Sequence, residues 1–311
     1  MLKTSVIIPT YHRPQELSDL IQSLLWQTKK PDELIIIDDG NLSEVPFEQE
    51  LNDAAINLIY HKKDVPGLTE SRNAGIRKAN GDIIFFFDDD VILSTHYLQE
   101  IIKTYESDPG GKVGGVGGMM TNPKSKNFTH AFRKILEIIF LVSGLREGRV
   151  LRSGFFTDLL DTDQPILGVK EVEFLPGCAL SFRRKIFKEF IFTDRYRSYG
   201  FGEDKDFTYQ VSKKYKLLIN RSARLQHLES EKMRPEKKGY GKKFVIGRYL
   251  FFRDHVKNGW WDWLLFSYAL FGYTLIRAMV LLVSPGKNNI DHLLGIFEAV
   301  EDIIAGRVMP V

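Results

Sequence analysis

Cysteine is nearly missing from the 311 residues: Cys178 stands alone. One thiol can form no internal disulfide and no cysteine cluster for a metal, so a disulfide scaffold is excluded and a reducing, cytoplasmic setting is expected. A surplus of charge is also absent. Lys and Arg number 43 against 40 Asp and Glu, a net of +3 that gives no reason to expect nucleic acid. The N-terminal stretch carries no basic segment, long apolar run and cleavage site in succession; it enters Ser5-Val6-Ile7-Ile8 directly, and no signal peptide is expected. The glycine-dense stretch 110–118 lacks the Gly-Lys-Ser or Gly-Lys-Thr ending of a phosphate loop and reads as a tight turn and a strand through Val113 and Val116. Neither low-complexity segments nor internal repeats are visible.

What is present is an alternation of short apolar strands and amphipathic helices. Val6-Ile7-Ile8 reads as a buried strand broken at Pro9, and Pro14 sits where a helix starts without losing a useful donor. Leu17, Leu20, Ile21, Leu24 and Leu25 recur at helical spacing, and Leu34 to Ile37 form a second strand that ends in Asp38-Asp39-Gly40. Leu58-Ile59-Tyr60, a helix over 69–79, the strand Ile83 to Phe87 and a helix over 94–106 continue the pattern. Strand-helix-strand units of this kind predict an α/β fold with a Rossmann-like, mostly parallel sheet. Ligands of such sheets bind outside the carboxyl ends of the strands, where Asp38-Asp39 and Asp88-Asp89-Asp90 fall.

Farther along, residues 155–168 mix Asp158, Asp161, Asp163 and Pro165 and read as a long loop. Strand pieces at 172–175 and 179–182 flank Pro176-Gly177, a helix over 205–214 is entered from Gly202-Glu203-Asp204, and Ala223 to His227 reads as a strand. After about residue 230 the composition changes. Trp260, Trp261 and Trp263 open an apolar stretch that runs to Val283, close to membrane-spanning length but interrupted by Asp262, Gly272 and Arg277. Together with Lys237, Lys238, Lys242, Lys243 and Arg248 it fits a helix lying in the interface of an anionic membrane, or a helical hairpin buried against protein. The expected organisation is a catalytic domain over 1–230, with a nucleotide-binding half over about 1–110 and an acceptor half over 111–230, followed by a helical C-terminal region over 231–311.

The carboxylates carry the chemistry. In an extended chain Asp88 and Asp90 face one side while Asp89 faces the other, and like charges so crowded suit a hard divalent cation. Such a cation stabilises the charge on a departing diphosphate. Taken alone the triplet also fits an exposed acidic turn. Its company is Pro9-Thr10-Tyr11, Asp38-Asp39-Gly40 and Ser71-Arg72-Asn73, in order on successive elements.

This constellation resembles family 2 glycosyltransferases, over roughly residues 3–230, and the resemblance implies a GT-A fold. Val6 to Pro14 is similar to the family's opening strand and base-contacting loop, with His12 where asparagine is usual. The resemblance implies that Asp39, aided by Asp38 and Thr10 within the loop Pro9-Thr10-Tyr11, recognises the base and ribose of a UDP- or dTDP-sugar, and that Arg72 faces the donor phosphates. Asp88-Asp89-Asp90 looks like the family's DXD element, which assigns Asp90 to a Mn²⁺ or Mg²⁺ ion, Asp88 to the ion or the donor ribose, and Asp89 to the donor side generally. Some family members place a histidine ligand where His227 stands, although a lone histidine at a strand end also fits a structural role. Inversion needs a base for the acceptor hydroxyl; Gly202-Glu203-Asp204 resembles the family's glutamate-aspartate element, which points to Asp204 or else Glu203, with Asp206 a helix N-terminal charge. Pro176-Gly177-Cys178 resembles the acceptor-side turn, with Cys178 read as a small buried residue.

The acceptor implied is a glycan or lipid-linked glycan, made at the inner face of a membrane for cell-surface polysaccharide or glycoconjugate. Rival readings are a nucleotide-sugar-binding scaffold without turnover and a nucleotidyltransferase. The second should carry a Gly-rich basic loop after the first strand, where this chain has Pro9-Thr10-Tyr11-His12.

Overall fold

A computed structural model describes residues 2–121, 128–159, 168–193, 195, 201–230 and 237–308. In chain order the elements begin β1 (Thr4–Thr10), α1 (Pro14–Leu25), β2 (Glu33–Asp38), α2 (Glu48–Asp53), β3 (Asn57–Lys62), α3 (Leu68–Lys78), β4 (Ile83–Phe87), β5 (Val91–Leu93), α4 (Tyr97–Glu106) and β6 (Val113–Met120). They continue with α5 (Phe128–Ile139), β7 (Arg149–Val150), β8 (Phe156–Thr157), β9 (Val169–Val172), β10 (Ala179–Arg183), α6 (Glu203–Ser212) and β11 (Lys216–His227). The chain closes with α7 (Lys237–Phe251), α8 (Trp260–Val283) and α9 (Lys287–Ile304).

These elements form two compact units, residues 1–123 with 161–233, and residues 124–160 with 234–311. The units meet at three places along the chain, the last of them between residues 233 and 234. The stretch 124–160 groups with the C-terminal helices. Its reason is visible in packing: Phe140 lies against α8 at Gly272, where an added Cβ would overlap the Phe140 side chain.

In the first unit the sheet runs β3-β2-β1-β4-β10-β6-β11-β5, with β9 beside β11. β1 is parallel to β2 and β4, and β2 to β3, whereas β10 enters antiparallel between β4 and β6. The α/β class follows from continuous apolar strands that must be covered on both faces. All seven residues of β1 and all five of β4 are buried. Val6, Ile8, Phe85 and Phe87 pack with Leu17, Leu20, Ile21 and Leu24 of α1 on one side. On the other, Phe86 meets Phe182, Phe187 and Phe192 edge-on. Each fully buried Leu, Ile or Phe contributes about 1.5–3 kcal/mol.

Chain order places β1, β2 and β3 in one direction across the sheet, then returns to set β4 on the other side of β1. That reversal opens a crevice beyond the carboxyl ends of β1 and β4. Thr10 ends one strand and Asp88 follows the other, so the switch point receives the acidic triplet.

The second unit is built from α5, α7, α8, α9 and the β7-β8 hairpin. Val245, Ile246, Leu250, Ile296 and Ala299 form one core cluster, and Phe155, Phe252, Phe266 and Ala269 another. The three residues that interrupt the apolar stretch each have a use here. Asp262 accepts from the backbone N–H groups of Asn258 (2.9 Å) and Gly259 (3.0 Å) at the start of α8, Gly272 admits Phe140, and Arg277 donates to Asn289 (3.3 Å). The helix as a whole is long and apolar enough to cross a membrane.

Of the loop expected over 155–168, residues 160–167 lie outside the described residues, and Phe156–Thr157 pair with Arg149–Val150 as a short hairpin. The helix expected from residue 205 starts two residues earlier, at Glu203. Gly202, at φ 97°, turns the chain into it, so Glu203, Asp204 and Asp206 all occupy its first turn, where the helix dipole favours negative charge.

Candidate functional site

Asp88, Asp89 and Asp90 leave the end of β4 in alternating directions, as extended geometry requires. Asp88, Asp90 and His227 face one another, each offering one ligand atom within 4.8 Å of the others. The Nε2 of His227 lies 3.0 Å from the Asp90 Oδ1, and the backbone N–H of Ser230 donates to Asp90 Oδ2 at 3.1 Å. β11 carries His227 there because it pairs antiparallel with β5, with His227 opposite Val91. Burial alone would lower the His227 pKa, but its hydrogen bond to Asp90 and that carboxylate's charge win, and the net shift is upward. For Asp90 burial acts upward, while His227 and Arg13 bring the carboxyl below its ordinary value.

Asp89 points away from this trio. It accepts from the Thr10 hydroxyl at 2.9 Å and from Arg13 at 3.0 Å, and burial pushes its pKa up to about 6 against both partners. Arg13 also reaches Asp90 at 3.5 Å. No motif marks Arg13 in the sequence; its one signal is a cation four residues upstream of α1's first apolar position, and reasoning from sequence misses it. Pro9, Thr10 and Tyr11 close β1 beside the triplet, and His12 follows at φ 55°, a left-handed conformation that asparagine adopts more readily than histidine.

The two carboxylates after β2 separate in role. Asp38 is fully buried and accepts from the N–H groups of Gly40 (2.8 Å) and Leu42 (2.9 Å) and from the Tyr60 hydroxyl (2.7 Å). Those three donors hold Asp38 in its own turn and leave acceptor capacity on a carboxylate that has about four lone-pair sites. Asp39 accepts from the Gly67 N–H at 3.0 Å and the Ser71 hydroxyl at 2.7 Å, with Lys63 Nζ at 3.1 Å. It ties the entry of α3 to β2. Lys63 and the contact of Ser71 with Asp39 escape a reading of the sequence, because nothing local links either residue to Asp39.

Arg72 is only 1% exposed, although the resemblance implies that it faces donor phosphates. Its guanidinium donates to Glu203 at 3.1 Å, to Asp88 at 3.2 Å and to the Gly177 carbonyl at 3.2 Å, over the Phe192 ring at 5.3 Å. A buried cation is tolerated when carboxylates neutralise it, and these two come from β4's end and α6's first turn. Burial, then the nearby Asp204, push the Glu203 carboxyl up, with Arg72 opposing.

Asp204 is the neighbouring carboxylate at the start of α6, with Lys205 Nζ at 3.6 Å. Gly177 lets it come close: an added Cβ there would stand 3.1 Å from the Asp204 carboxylate. Asp206 accepts from Gln210 at 2.9 Å, one turn along the same helix. Cys178 is buried, its thiol pushed well up by burial and by the charges of Asp88, Asp90 and Asp204, and its carbonyl accepts from the Asp88 N–H at 3.1 Å. It serves as backbone support. The structure therefore brings together Asp88, Asp90, His227, Arg72, Glu203 and Asp204 in one connected acidic site, with Asp89 and Thr10 on the flank.

The profile of glycosyl transferase family 2 matches residues 5–191. An uncharacterised glycosyltransferase of Bacillus subtilis, YwdF, is 34% identical over 106 residues, 34% of this chain and 39% of that protein. Glucosyl-dolichyl phosphate glucuronosyltransferase of Haloferax volcanii is 32% identical over 118 residues, 37% of this chain and 38% of its own length. The matched part thus spans about two fifths of these relatives.

Among solved structures, GalNAc-T7 with UDP, GalNAc and Mn²⁺ superposes with a TM-score of 0.59 at 15% identity, over 98% of this chain and 58% of that one. Mannosyltransferase PcManGT from Pyrobaculum calidifontis, in complex with GDP-Man and Mn²⁺, gives 0.57 at 14% identity, over 98% and 88%. At these identities the likeness is one of fold, and the fold is GT-A. With more than half of its length matched by the family profile, the chain belongs to glycosyl transferase family 2.

Proposed function

We propose that the protein transfers a sugar, with inversion, from a nucleoside-diphosphate donor to a hydroxyl of a glycan or lipid-linked acceptor. UDP- and dTDP-sugars are favoured, in the assembly of cell-surface polysaccharide or glycoconjugate. The observation that carries this reading is the placement of two distinct acidic groups in one crevice: Asp88, Asp90 and His227 on one side, Glu203 and Asp204 on the other.

Two carboxylates and an imidazole at such spacing fit a divalent ion that prefers oxygen and accepts nitrogen, so Mn²⁺ or Mg²⁺ suits Asp90, Asp88 and His227. When bound, such an ion supplies positive charge to a departing diphosphate. Asp89, fixed by Thr10 and Arg13, sets the direction in which its two neighbours point. Asp39 and the loop Pro9-Thr10-Tyr11 flank the nucleoside, with Asp39 held in place by Ser71 and Gly67.

Asp204 takes the proton from the acceptor hydroxyl. Glu203 is the poorer base because its carboxylate is engaged by Arg72, whereas Asp204 sits against Gly177, where a missing side chain leaves room for close approach. Direct displacement by that oxygen inverts the anomeric carbon. The test is the anomeric configuration of the product by proton NMR, read as the first product forms: the opposite configuration to the donor supports Asp204 as base, and retention rules it out.

The helical unit rests on the cytoplasmic face of a membrane in this reading, with no part for nucleic acid. Support comes from α8, whose Trp260 and Trp261 are 63% and 61% exposed and whose Leu264, Tyr268, Phe271 and Leu275 continue an exposed stripe at helical spacing. Sedimentation with anionic phosphatidylglycerol vesicles tests it; protein that stays in the supernatant contradicts it.

A further inference from the structure

Arg72 occupies a position that the transfer reaction by itself does not demand. Its guanidinium lies between a carboxylate of the metal trio and a carboxylate of the helix that bears the base, 3.2 Å from Asp88 and 3.1 Å from Glu203. Exposure falls steeply across the three side chains, from 30% at Asp88 to 7% at Glu203 and 1% at Arg72. The cation is therefore enclosed, and the donor side of the site meets only the outer carboxylate.

We propose that Arg72 is a positioning residue that couples the metal side of the site to the base side, by sharing its charge between Asp88 and Glu203. The inference rests on the reading of Asp88, Asp90 and His227 as the metal site.

The physical basis is competition for one carboxylate. A divalent ion arriving at Asp88 meets a cation already in contact with one oxygen of that carboxylate, so the two repel and both draw on the Asp88 charge. Glu203 decides how strongly. While its carboxylate holds one arm of the guanidinium, Arg72 is neutralised from the base side and Asp88 remains available to a metal. Without that charge, Arg72 leans wholly on Asp88. Two further contacts limit how far the guanidinium can move away: the Gly177 carbonyl accepts from the same nitrogen that meets Asp88, and the Phe192 ring lies beneath. Because Glu203 and Asp204 are adjacent in the first turn of α6, a shift of Arg72 toward or away from Asp88 is felt at the base. The coupling is reciprocal, as any such free energy must be.

An arginine that instead met donor phosphates would be reachable from the crevice and would leave metal affinity in the absence of nucleotide unaffected. Opposite signs separate the two roles. The experiment is titration of the nucleotide-free full-length protein with Mn²⁺, followed by electron paramagnetic resonance of the free ion at about pH 8. Removing the competing cation in Arg72→Gln should tighten Mn²⁺ about fivefold; removing its other partner in Glu203→Gln should weaken Mn²⁺ by a similar factor. The double variant should bind Mn²⁺ about as tightly as Arg72→Gln, because Glu203 acts through Arg72, and two effects that simply add back to wild type would overturn the coupling; Arg72→Lys should stay nearer to wild type than Arg72→Gln.

Changes of the same sign in both single variants, or no change in either, overturn the coupling. Should Arg72→Gln fail to fold, Glu203→Gln decides alone, because an isosteric amide keeps the shape of the site and unchanged Mn²⁺ affinity would then refute the proposal. Failure of the metal reading is distinguishable: in that case wild-type protein binds no Mn²⁺ at all.

Discussion

The two units of this chain solve different problems with opposite charge. Residues 1–123 and 161–233 hold 25 Lys and Arg against 30 Asp and Glu, a net of −5, whereas residues 124–160 and 234–311 hold 18 against 10, a net of +8. The near-neutral whole chain conceals both. In the acidic unit the charges are drawn inward: Asp38, Asp39, Asp89, Asp90, Glu203, Asp204, Asp206 and Arg72 are all buried. In the basic unit apolar side chains are turned outward, with Trp260, Trp261, Phe271, Leu282 and Phe297 each more than half exposed. Buried carboxylates need cations, from the protein or from solution, and exposed aromatic residues need a surface to cover them. In the proposed function, accordingly, chemistry belongs to the first unit and surface attachment to the second.

That division meets its strongest test at the base. Asp204→Asn should lower transfer by about 10²- to 10⁴-fold while nucleotide affinity stays within a small factor of wild type, measured by product formation and by calorimetry on the same preparation. Equal loss of both quantities would place Asp204 in the donor site instead.

A second contrast concerns stability. Ile36→Ala, in a fully buried strand of the acidic unit, should cost about 2–5 kcal/mol in urea unfolding, whereas Phe271→Ser on the exposed stripe should cost less than about 0.5 kcal/mol. The triple variant Trp260→Ser, Trp261→Ser, Phe271→Ser should reduce binding to anionic vesicles at least tenfold, because the bilayer then covers less apolar surface, a difference of about 1.5 kcal/mol or more. Its Mn²⁺ affinity should match that of wild type. A triple variant that binds vesicles like wild type would remove the membrane role.

The smallest effect is one of pH. Backbone donors at Asn258 and Gly259 and the Arg152 guanidinium hold the Asp262 carboxyl below its ordinary value. A depressed folded-state pKa stabilises the native form above the unfolded value, near 3.9, and that contribution fades as pH falls through the folded-state value. Asp262→Asn should therefore lower the melting temperature slightly near neutral pH, with the difference from wild type vanishing at the acid end.

Much of the fold is legible in the sequence because parallel strands buried on both faces are written as unbroken apolar runs. Val6 to Ile8, Leu34 to Ile37 and Ile83 to Phe87 mark three strands, and the acidic residues that end two of them mark the carboxyl edge. The alternation of Asp88, Asp89 and Asp90 is readable from strand geometry alone, and the structure reproduces it. Partners distant in sequence are not readable. Asp38 looks like Asp39 in sequence, yet the first accepts from its own turn and the second from a serine 32 residues away. The contact of Arg72 with Glu203, 131 residues on, has no local signal in the sequence. The grouping of 124–160 with the C-terminal helices is hidden for the same reason, since it rests on Phe140 meeting Gly272.

Donor nucleotide and metal should bind together beside Asp88, Asp90 and His227, and a calorimetric titration of the protein with UDP, dTDP and GDP, with and without Mn²⁺, beside Asp90→Ala, measures this. At least one nucleotide, UDP or dTDP first, should bind only with Mn²⁺ present, and this binding should vanish in the variant. Nucleotide binding that ignores Mn²⁺, or that survives Asp90→Ala unchanged, would contradict the placement of the donor site at those three residues.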